Sequence, residues 1–487
     1  MLILYNPASA AQRKAVLPMS LLALGALLEG NHEYRIVDGN LEPDPVGAID
    51  RALQHTEGAI LGVTVMPGPQ LRCAVPHSRQ LKSMHPDLTI VWGGYFPTQH
   101  YEVCLRADYV DYVVRGHAEG SFKELVDALQ AGEDPVAVAG LAYRDRQTGQ
   151  IVANPRAPVP DPDGLPDFPY HRVSMERYVR PTFMGQRTLP HHSSYGCPFS
   201  CSFCAVVTMA DGRWRAQAAE RVAATARRLV REWGADAVEF YDNNFFVHEG
   251  RTAEFAERIM DLGIGWWGES RIDTLLNYSD HTWQLMRDSG LRMAFLGAES
   301  GSDETLRQMN KGGTASTAAT LEIAAKMAHY DIVPEMSFVL GNPPDPKADV
   351  RRTIEFIRRL KRVNPRTEII LYMYTPVPLA GKLYEQAVAA GFQFPETLEE
   401  WIAPHWQEFS QRRSTQTPWV QDPLRRQIHD FERVLNAYYP TTTDVKLHGS
   451  WRWLLKTISA WRYHLQVYSY PLELQALHKV VAYQRPE

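Results

Sequence analysis

The sequence is short of three features that would each have pointed to a class of protein: positive charge, cysteine and long apolar runs. Its 51 lysines and arginines are outnumbered by 56 aspartates and glutamates, so there is no basic footprint for a nucleic acid. Five cysteines are too few for a disulfide framework, which favours a reducing, cytoplasmic protein. No apolar run reaches the ~18 residues of a membrane-spanning helix, and we expect no basic leader and no transmembrane segment.

What is present is typical of a large globular protein. The chain has 487 residues, of which 45% are hydrophobic and 22% charged, which excludes a disordered chain and indicates more than one domain. Changes in pattern along the sequence predict four segments, which are residues 1–135, 136–187, 188–390 and 391–487.

Three cysteines in one short loop carry the strongest chemical signal. Cys197, Cys201 and Cys204 have the spacing C-x3-C-x2-C. A [4Fe–4S] cluster normally takes four protein thiolates, one for each iron. Three thiolates therefore leave one iron open to another ligand. The alternatives are a zinc knuckle completed by one of the two histidines just upstream, or buried structural thiols.

This loop resembles the cluster loop of the radical S-adenosylmethionine (SAM) superfamily. The resemblance implies that the open iron chelates the amino and carboxylate groups of SAM. It further implies that an electron, supplied by a donor such as flavodoxin or ferredoxin, cleaves SAM to a 5′-deoxyadenosyl radical that abstracts hydrogen. In the superfamily an aromatic residue between the last two cysteines shields the cluster, and Phe203 holds that position.

Residues 2 to 135 alternate short apolar runs with helical stretches, which predicts an α/β domain with a doubly wound, Rossmann-like sheet. A ligand of such a sheet lies beyond the carboxyl ends of its strands. The residues of interest there are Asp38, Asn40, Thr64, Gly93, Gly94, Thr98 and Gly116.

These residues belong to a series that resembles the cobalamin-binding domain preceding many radical SAM domains. The resemblance covers about the first 130 residues, and it includes the second strand ending in Asp38 and the stretch Val91–Thr98. It implies that cobalamin is a cofactor. One position departs, because Asn40 stands where some cobalamin proteins carry a histidine that ligates cobalt. Either cobalamin is bound without a histidine ligand, or the domain is a scaffold that binds nothing.

From Thr188 onward, six further strand–helix units predict a partial (β/α)6 barrel of the TIM type, with its site at the carboxyl ends of the strands. Polar residues follow the second, third and fourth strands: Asp242, Asn243, Asn244, Glu269, Arg271, Glu299 and Ser300. Their order resembles the radical SAM pattern over residues 188 to 390.

The resemblance implies a SAM-binding role for this polar set. The residues after the second strand would hold the amino group of SAM, and Glu299 and Ser300 would contact its ribose and methionine portions. Arg271 can meet a carboxylate through two hydrogen bonds. The alternative for Glu299 and Arg271 is a salt bridge at the barrel rim.

The two remaining segments carry less information. Prolines between residues 155 and 169 favour an extended connector, preceded by a short hairpin at residues 141–143 and 151–152. Residues 391–487 predict a mainly helical region rich in tryptophan, with a stripe from Trp451 to Leu465 at helical spacing. We interpret the stripe as a helix that caps the open barrel. The alternatives are contact with a membrane surface or a roof over an apolar substrate.

The two resemblances together imply a cobalamin-dependent radical SAM enzyme that methylates an unactivated carbon of a small molecule, an apolar one included. Methylcobalamin would supply the methyl group to a carbon radical, and a second SAM would remethylate cobalt. The alternative is a ring-forming or oxidative enzyme resembling the anaerobic magnesium-protoporphyrin ester cyclase. Methylthiotransfer to nucleic acid would need a different amino-terminal domain, and a cobalamin carrier would not need the three cysteines.

Overall fold

The computed structural model describes residues 1–9, 15–54, 56–312, 314–410, 412, 417–441, 443, 447–481 and 483. It has the predicted α/β architecture, with two large sheets followed by a helical carboxyl-terminal region. Among the described helices, none has the length and apolar character needed to cross a membrane.

The first sheet is built from the amino-terminal alternation of strands and helices. Its elements are β1 Leu2–Asn6, α1 Met19–Leu28, β2 Tyr34–Asp38, α2 Pro45–Leu53, β3 Ile60–Thr64, α3 Pro69–Met84, β4 Thr89–Gly93, α4 Tyr95–Gln99, α5 Tyr101–Arg106, β5 Tyr112–Val114 and α6 Glu119–Ala131. The parallel strands have the order β2-β1-β3-β4-β5. The strand order reverses beside β1, which opens a crevice at the carboxyl edge.

Both faces of this sheet are buried, which explains why its strands are almost wholly apolar. Leu2 and Leu4 of β1 pack into one hydrophobic cluster, and Ile3 and Tyr5 pack into another on the opposite face. Successive side chains of a strand point to opposite faces, so a strand covered on both sides needs an unbroken apolar run.

The predicted hairpin is confirmed, and it extends the first sheet. Strands β6 Leu141–Arg144 and β7 Ile151–Ala153 pair antiparallel, and β6 pairs antiparallel with β5. The sheet therefore continues past residue 135, into the segment interpreted as a connector. The rest of that segment contains only the end of the 3₁₀ turn Pro135–Ala137, the 3₁₀ turns Tyr170–Arg172 and Met175–Arg177, and one isolated bridge between Arg180 and Thr188. The four segment boundaries stay predictions.

The second sheet is the predicted partial barrel. Its elements are β8 Thr188–His191, β9 Ser194–Gly196, α7 Ala205–Ala210, β10 Trp214–Ala216, α8 Ala219–Trp233, β11 Ala237–Phe240, α9 Glu249–Ile259, β12 Gly265–Ser270, α10 Ile272–Leu276, α11 Asp280–Asp288, β13 Leu291–Glu299, α12 Asp303–Gln308, α13 Thr317–His329, β14 Val333–Leu340, α14 Pro346–Val363, β15 Glu368–Met373 and α15 Lys382–Ala389. Six parallel strands lie in chain order, from β8 at one edge to β15 at the other. Strands β9 and β10 form a separate antiparallel pair.

The carboxyl-terminal helices are α16 Leu398–Trp401, α17 Pro404–Ser410, α18 Asp422–Tyr438, α19 Gly449–Leu465 and α20 Leu472–His478. The stripe predicted from Trp451 to Leu465 does form a helix, α19. Helix α19 packs on α18 and α20, and Arg358 of α14 lies over the ring of Tyr463 of α19 at 5.2 Å. Our interpretation that α19 caps the open barrel stays a prediction. Trp461 and Leu465 are 48% and 69% exposed, so the apolar stripe is buried only in part.

Aromatic residues between 392 and 409 join the core of the first domain instead. Phe392, Trp401 and Phe409 are buried in the same hydrophobic cluster as Phe96 of α4. The rings of Phe96 and Trp401 meet edge to face with centroids 5.1 Å apart. Residues separated by about 300 positions in sequence thus complete one core.

We expect the barrel core to depend on Trp266. This side chain is fully buried, donates its indole N–H to Ser289 Oγ at 3.1 Å, and packs against Phe240 and Phe246. Trp266→Ala should lower the free energy of unfolding by about 3–5 kcal/mol, measured by urea denaturation of the barrel transition. The matched control is Trp453→Ala. Its side chain is 68% exposed, so this change should alter the free energy of unfolding by no more than about 0.5 kcal/mol. Equal losses of unfolding free energy in the two variants would contradict the burial of Trp266.

Candidate active site

The cysteine loop follows β9 and is fixed at its start by Gly196. This residue has φ of 74°, and a Cβ there would lie 2.2 Å from the carbonyl oxygen of Arg213, so only glycine fits. Cys197, Cys201 and Cys204 form no disulfide bond. Burial raises the pKa of Cys204 to about 11, so this thiol is protonated until a metal binds it.

A guanidinium lies against the middle cysteine. Arg271 Nη1 donates to Cys201 Sγ at 3.4 Å, and the guanidinium group lies over the ring of Phe199, 3.8 Å from its centre. The other donors of this guanidinium are bound by the carboxylate of Asp273, with Nε–Oδ1 and Nη2–Oδ2 distances of 2.9 and 2.7 Å. The two-fold carboxylate contact expected of Arg271 is therefore made by a carboxylate of the protein.

Glu299 is likewise held in a buried ion pair. Its Oε1 lies 2.5 Å from Lys311 Nζ, and both residues are buried. Glu299 stands at a bulge in β13 with φ of 62°. Gly297 makes room for the pair, because a Cβ there would lie 2.1 Å from the Glu299 carboxylate. Glu299 and Arg271 each form a salt bridge at the barrel rim, which is the alternative stated for both residues. The neighbouring Ser300 accepts a hydrogen bond from Ser302 N through its hydroxyl at 3.1 Å.

Lys311 belongs to a turn that supports the cysteine loop. Ser202 N donates to Met309 O at 2.9 Å, and Asn310 Nδ2 donates to Ser200 O at 2.9 Å. Lys311 Nζ also lies 5.9 Å from the ring centre of Phe203. Sequence reasoning missed this supporting role of residues 309–312.

The three residues after β11 point to three different neighbours. Asp242 is fully buried and accepts from Ser193 N at 3.1 Å and Ser193 Oγ at 2.8 Å. Asn243 Oδ1 accepts from the hydroxyl of Tyr95 at 3.1 Å. Asn244 Nδ2 approaches Cys197 Sγ at 3.8 Å. Asp242 thus anchors the chain before the cysteine loop, while the two asparagines face the loop and the first domain.

Glu269 lies at the carboxyl end of β12. Burial, followed by the nearby Asp242 carboxylate, raises the pKa of Glu269 to about 8. Among the described residues no side chain forms a hydrogen bond or ion pair with its carboxyl group. A buried acid of this kind is neutral near pH 7, and it becomes charged when a cation arrives beside it.

A cavity of about 480 Å³ lies between the two domains. Thr64, Gly93, Gly94 and Gly116 line it from the first sheet, and Asn243 lines it from the barrel. Four of the predicted cobalamin residues and one predicted SAM residue, Asn243, are therefore brought to one space. Thr98 stands behind this wall and accepts from Gly116 N at 3.0 Å.

Asp38 and Asn40 are not among the residues that line the cavity. Asp38 accepts from Asn6 Nδ2 at 2.9 Å and from the hydroxyl of Tyr178 at 2.8 Å. Asn40 Oδ1 accepts from Ser9 N at 2.8 Å, and its Nδ2 donates to Asp38 at 2.8 Å. The structure places both residues in a hydrogen-bonded network that ties β2 to the segment before the barrel.

Three side chains that sequence reasoning did not place at this cavity present unpaired polar atoms there. One of them, His192, was considered only as a possible fourth ligand of a zinc knuckle. His117, Glu119 and His192 line the cavity, and His117 Nε2, Glu119 Oε2 and His192 Nε2 are buried without a hydrogen-bond partner among the described residues. Burial lowers the pKa of His117 to about 4, so the ring is neutral. Buried polar atoms are normally paired, and these fit the amide side chains that surround a corrin ring. The only sequence signal was the position of residues 117 and 119 just beyond the strand that ends at Val114.

Comparison with known proteins gives matches in both halves of the chain. Residues 192–357 match the radical SAM superfamily, and residues 13–126 match the B12 binding domain. A methyltransferase of uncharacterised function from Pyrococcus horikoshii is 28% identical over 376 residues, which are 76% of this chain and 78% of that protein. An anaerobic magnesium-protoporphyrin IX monomethyl ester cyclase from Synechocystis is 27% identical over 62% of this chain and 60% of its own.

A solved structure supports the fold. The radical S-adenosylmethionine methyltransferase TsrM from Kitasatospora setae, with cobalamin and a [4Fe–4S] cluster bound, superposes with a TM-score of 0.63 over 80% of this chain and 75% of its own, at 17% identity. The chain belongs to the radical SAM superfamily, in the group whose radical SAM domain accompanies a B12-binding domain. It is a cobalamin-dependent radical SAM enzyme, and its cofactors are a [4Fe–4S] cluster, SAM and cobalamin.

Cys201→Ala should abolish both cluster binding and SAM cleavage. The change removes the thiolate that lies beside Arg271, and two thiolates cannot retain a cubane that needs at least three from this loop. The measurements are the iron content after anaerobic reconstitution and the yield of 5′-deoxyadenosine under reducing conditions. Cys73→Ala is the matched control, because Cys73 lies in α3 outside the loop and its loss should leave both readouts unchanged. Normal SAM cleavage by Cys201→Ala would show that the cysteine assignment is wrong.

Proposed function

We propose that the protein methylates an unactivated carbon of a small molecule, in a reaction that uses SAM both as the radical source and as the methyl donor. The observation that carries this proposal is the shared cavity, which Gly93 and Gly116 line from the first domain and Asn243 lines from the barrel. When bound, the cluster with SAM supplies a hydrogen-abstracting radical, and cobalamin supplies the methyl group. A substrate carbon in this space would lie between Asn243 of the barrel and the glycines of the first domain that would hold cobalamin.

The residues of the cavity would bind and orient these groups. Tyr95 crosses from the first domain to Asn243 and would fix the distance between the two halves of the site. His117, Glu119 and His192 would hydrogen-bond to the amide groups of cobalamin through their unpaired atoms. Thr64, Gly93, Gly94 and Gly116 would allow the cofactor to approach the backbone closely.

The barrel residues would position SAM at the cysteine loop. Asn243 and Asn244 would contact its methionine part, and Glu269 would receive its ammonium group. A cation beside Glu269 would offset the effect of burial on the pKa of this acid, so that SAM binding would release the proton held on its carboxyl group. Arg271 and Glu299 would act through the loop, because Asp273 and Lys311 already hold their charged groups. We infer that Ser300 shapes the turn after β13.

The enzyme would need an electron donor, such as flavodoxin or ferredoxin, in a reducing compartment such as the cytoplasm. The second candidate function is oxidative or ring-forming chemistry. It is supported by the 27% identity to the anaerobic magnesium-protoporphyrin IX monomethyl ester cyclase of Synechocystis over 62% of this chain. Both candidates use the same two domains, so the products of SAM must separate them.

Labelled SAM separates the two candidates. The reconstituted enzyme is incubated with SAM that carries a deuterated methyl group, together with a small-molecule extract of the native host. We expect one extract component to gain the labelled methyl while 5′-deoxyadenosine and S-adenosylhomocysteine both accumulate, because one SAM makes the radical and another donates the methyl group. Mass spectrometry measures all three. Cys201→Ala is the control for label transferred without the radical. Accumulation of 5′-deoxyadenosine alone, with no labelled product, would favour the cyclase-like candidate.

The geometry at Asn40 predicts how cobalt is bound. Because Asn40 is hydrogen-bonded to Ser9 and Asp38 and does not line the cavity, we expect bound cobalamin with its own base displaced and no protein imidazole on cobalt. Paramagnetic resonance of the Co(II) form should therefore lack the splitting of a nitrogen ligand.

Two histidines that line the cavity provide the check on this prediction. His117→Gln and His192→Gln are measured beside the wild-type protein. A nitrogen splitting that one of these variants removes would identify that histidine as a cobalt ligand and contradict the prediction. Failure of the wild-type protein to retain cobalamin would reduce the first domain to a scaffold.

A further inference from the structure

Exposed apolar side chains are concentrated at the carboxyl-terminal end of the described chain. Of its fifteen exposed large hydrophobic residues, seven lie between 453 and 480. Trp453, Leu465 and Leu472 are 68%, 69% and 65% exposed. Single exposed apolar residues are ordinary, but a cluster of them marks an interaction surface. We call the exposed apolar residues from Trp453 to Val480 the carboxyl-terminal patch.

The helix α19 supplies the longer part of this patch. Its buried residues Leu455, Ser459 and Tyr463 face α18 and α20. At 3.6 residues per turn, Trp453, Trp461 and Leu465 fall within an arc of about 120° on the opposite side of the helix. The α19 helix therefore has a buried apolar side that packs on the protein and a second apolar side that faces solvent.

The charge of this region is opposite to that of the rest of the chain. Between Trp453 and Val480 there are three lysines and arginines and one glutamate, whereas the whole chain has an excess of acids. That one acid, Glu473, is paired with Arg462. Lys456 and Lys479 lie exposed beside the apolar residues. The patch is therefore both apolar and cationic.

We propose that the carboxyl-terminal patch docks on an anionic lipid surface. Tryptophan and tyrosine prefer the boundary between headgroups and acyl chains, and Trp453, Trp461 and Tyr470 are all exposed here. Helices that lie in this boundary combine such an apolar side with lysine and arginine. The docked helix would insert its aromatic and leucine side chains at the level of the headgroups, with Lys456 and Lys479 against the phosphates.

A second copy of the chain fits this surface less well. A two-fold interface brings the same patch of both copies together, and here it would place the exposed Lys456 and Lys479 against a second cationic patch, whose Glu473 is already paired with Arg462. Like charges that face each other across an interface disfavour association. The charge of the patch therefore favours an anionic surface as its occupant.

The test is sedimentation of the full-length, cluster-loaded protein with lipid vesicles. We expect binding to vesicles of phosphatidylglycerol with phosphatidylcholine, weak binding to phosphatidylcholine alone, and loss of the difference at high salt. Lys456→Glu with Lys479→Glu should weaken binding to the anionic vesicles by about tenfold or more. Trp453→Ser with Leu465→Ser should weaken it through loss of the inserted side chains.

Matched controls and a folding readout keep the outcomes distinct. Lys347→Glu and Val388→Ser alter exposed residues of α14 and α15 and should bind as the wild-type protein does. All variants should cleave SAM at the wild-type rate, since none lies in the active site. The proposal is overturned if the wild-type protein does not bind anionic vesicles, or if the patch variants bind them equally well. It is also overturned if the wild-type protein is a dimer that the patch variants convert to monomer, because the occupant is then a second copy.

Discussion

The charge balance beside the cysteine loop is the constraint on which the rest of the site depends. Arg271 and Lys311 bring two buried cations to the loop, and Asp273 and Glu299 neutralise them. Removing one partner of a buried pair leaves an uncompensated charge, which typically costs about 3–5 kcal/mol. The loop geometry and the two ion pairs are therefore maintained together.

These pairs also set the electrostatic surroundings of the cluster. Charge, hydrogen bonds to sulfur and solvent exposure govern the reduction potential of an iron–sulfur cluster. Arg271 donates to Cys201 Sγ at 3.4 Å and Asn244 approaches Cys197 Sγ at 3.8 Å, so two of the three thiolates have a donor nearby. The arrangement favours the more negative, reduced state of the cluster.

Local sequence predicts the strands, the cysteine loop and the edge of each sheet at which polar residues gather, because these follow from apolar periodicity and spacing. It does not predict which polar side chains pair with each other. The contact Glu299–Lys311 depends on a bulge in β13 and on the space left by Gly297, and neither can be read from the sequence. The unpaired atoms of His117 and His192 are likewise visible only after two domains meet. Helical spacing likewise predicts α19, but it does not reveal which of the two apolar sides of this helix is covered.

The aromatic contacts between Phe96 and residues 392–409 have a consequence for synthesis. Phe96 is made early, whereas Trp401 and Phe409, which share its hydrophobic cluster, follow about 300 residues later. At about 5–20 residues per second, the ribosome leaves that part of the first domain uncovered for roughly 15 to 60 seconds. The nascent chain therefore carries an apolar surface for much longer than a small domain needs to fold, and the first domain finishes its core only when most of the protein has been made.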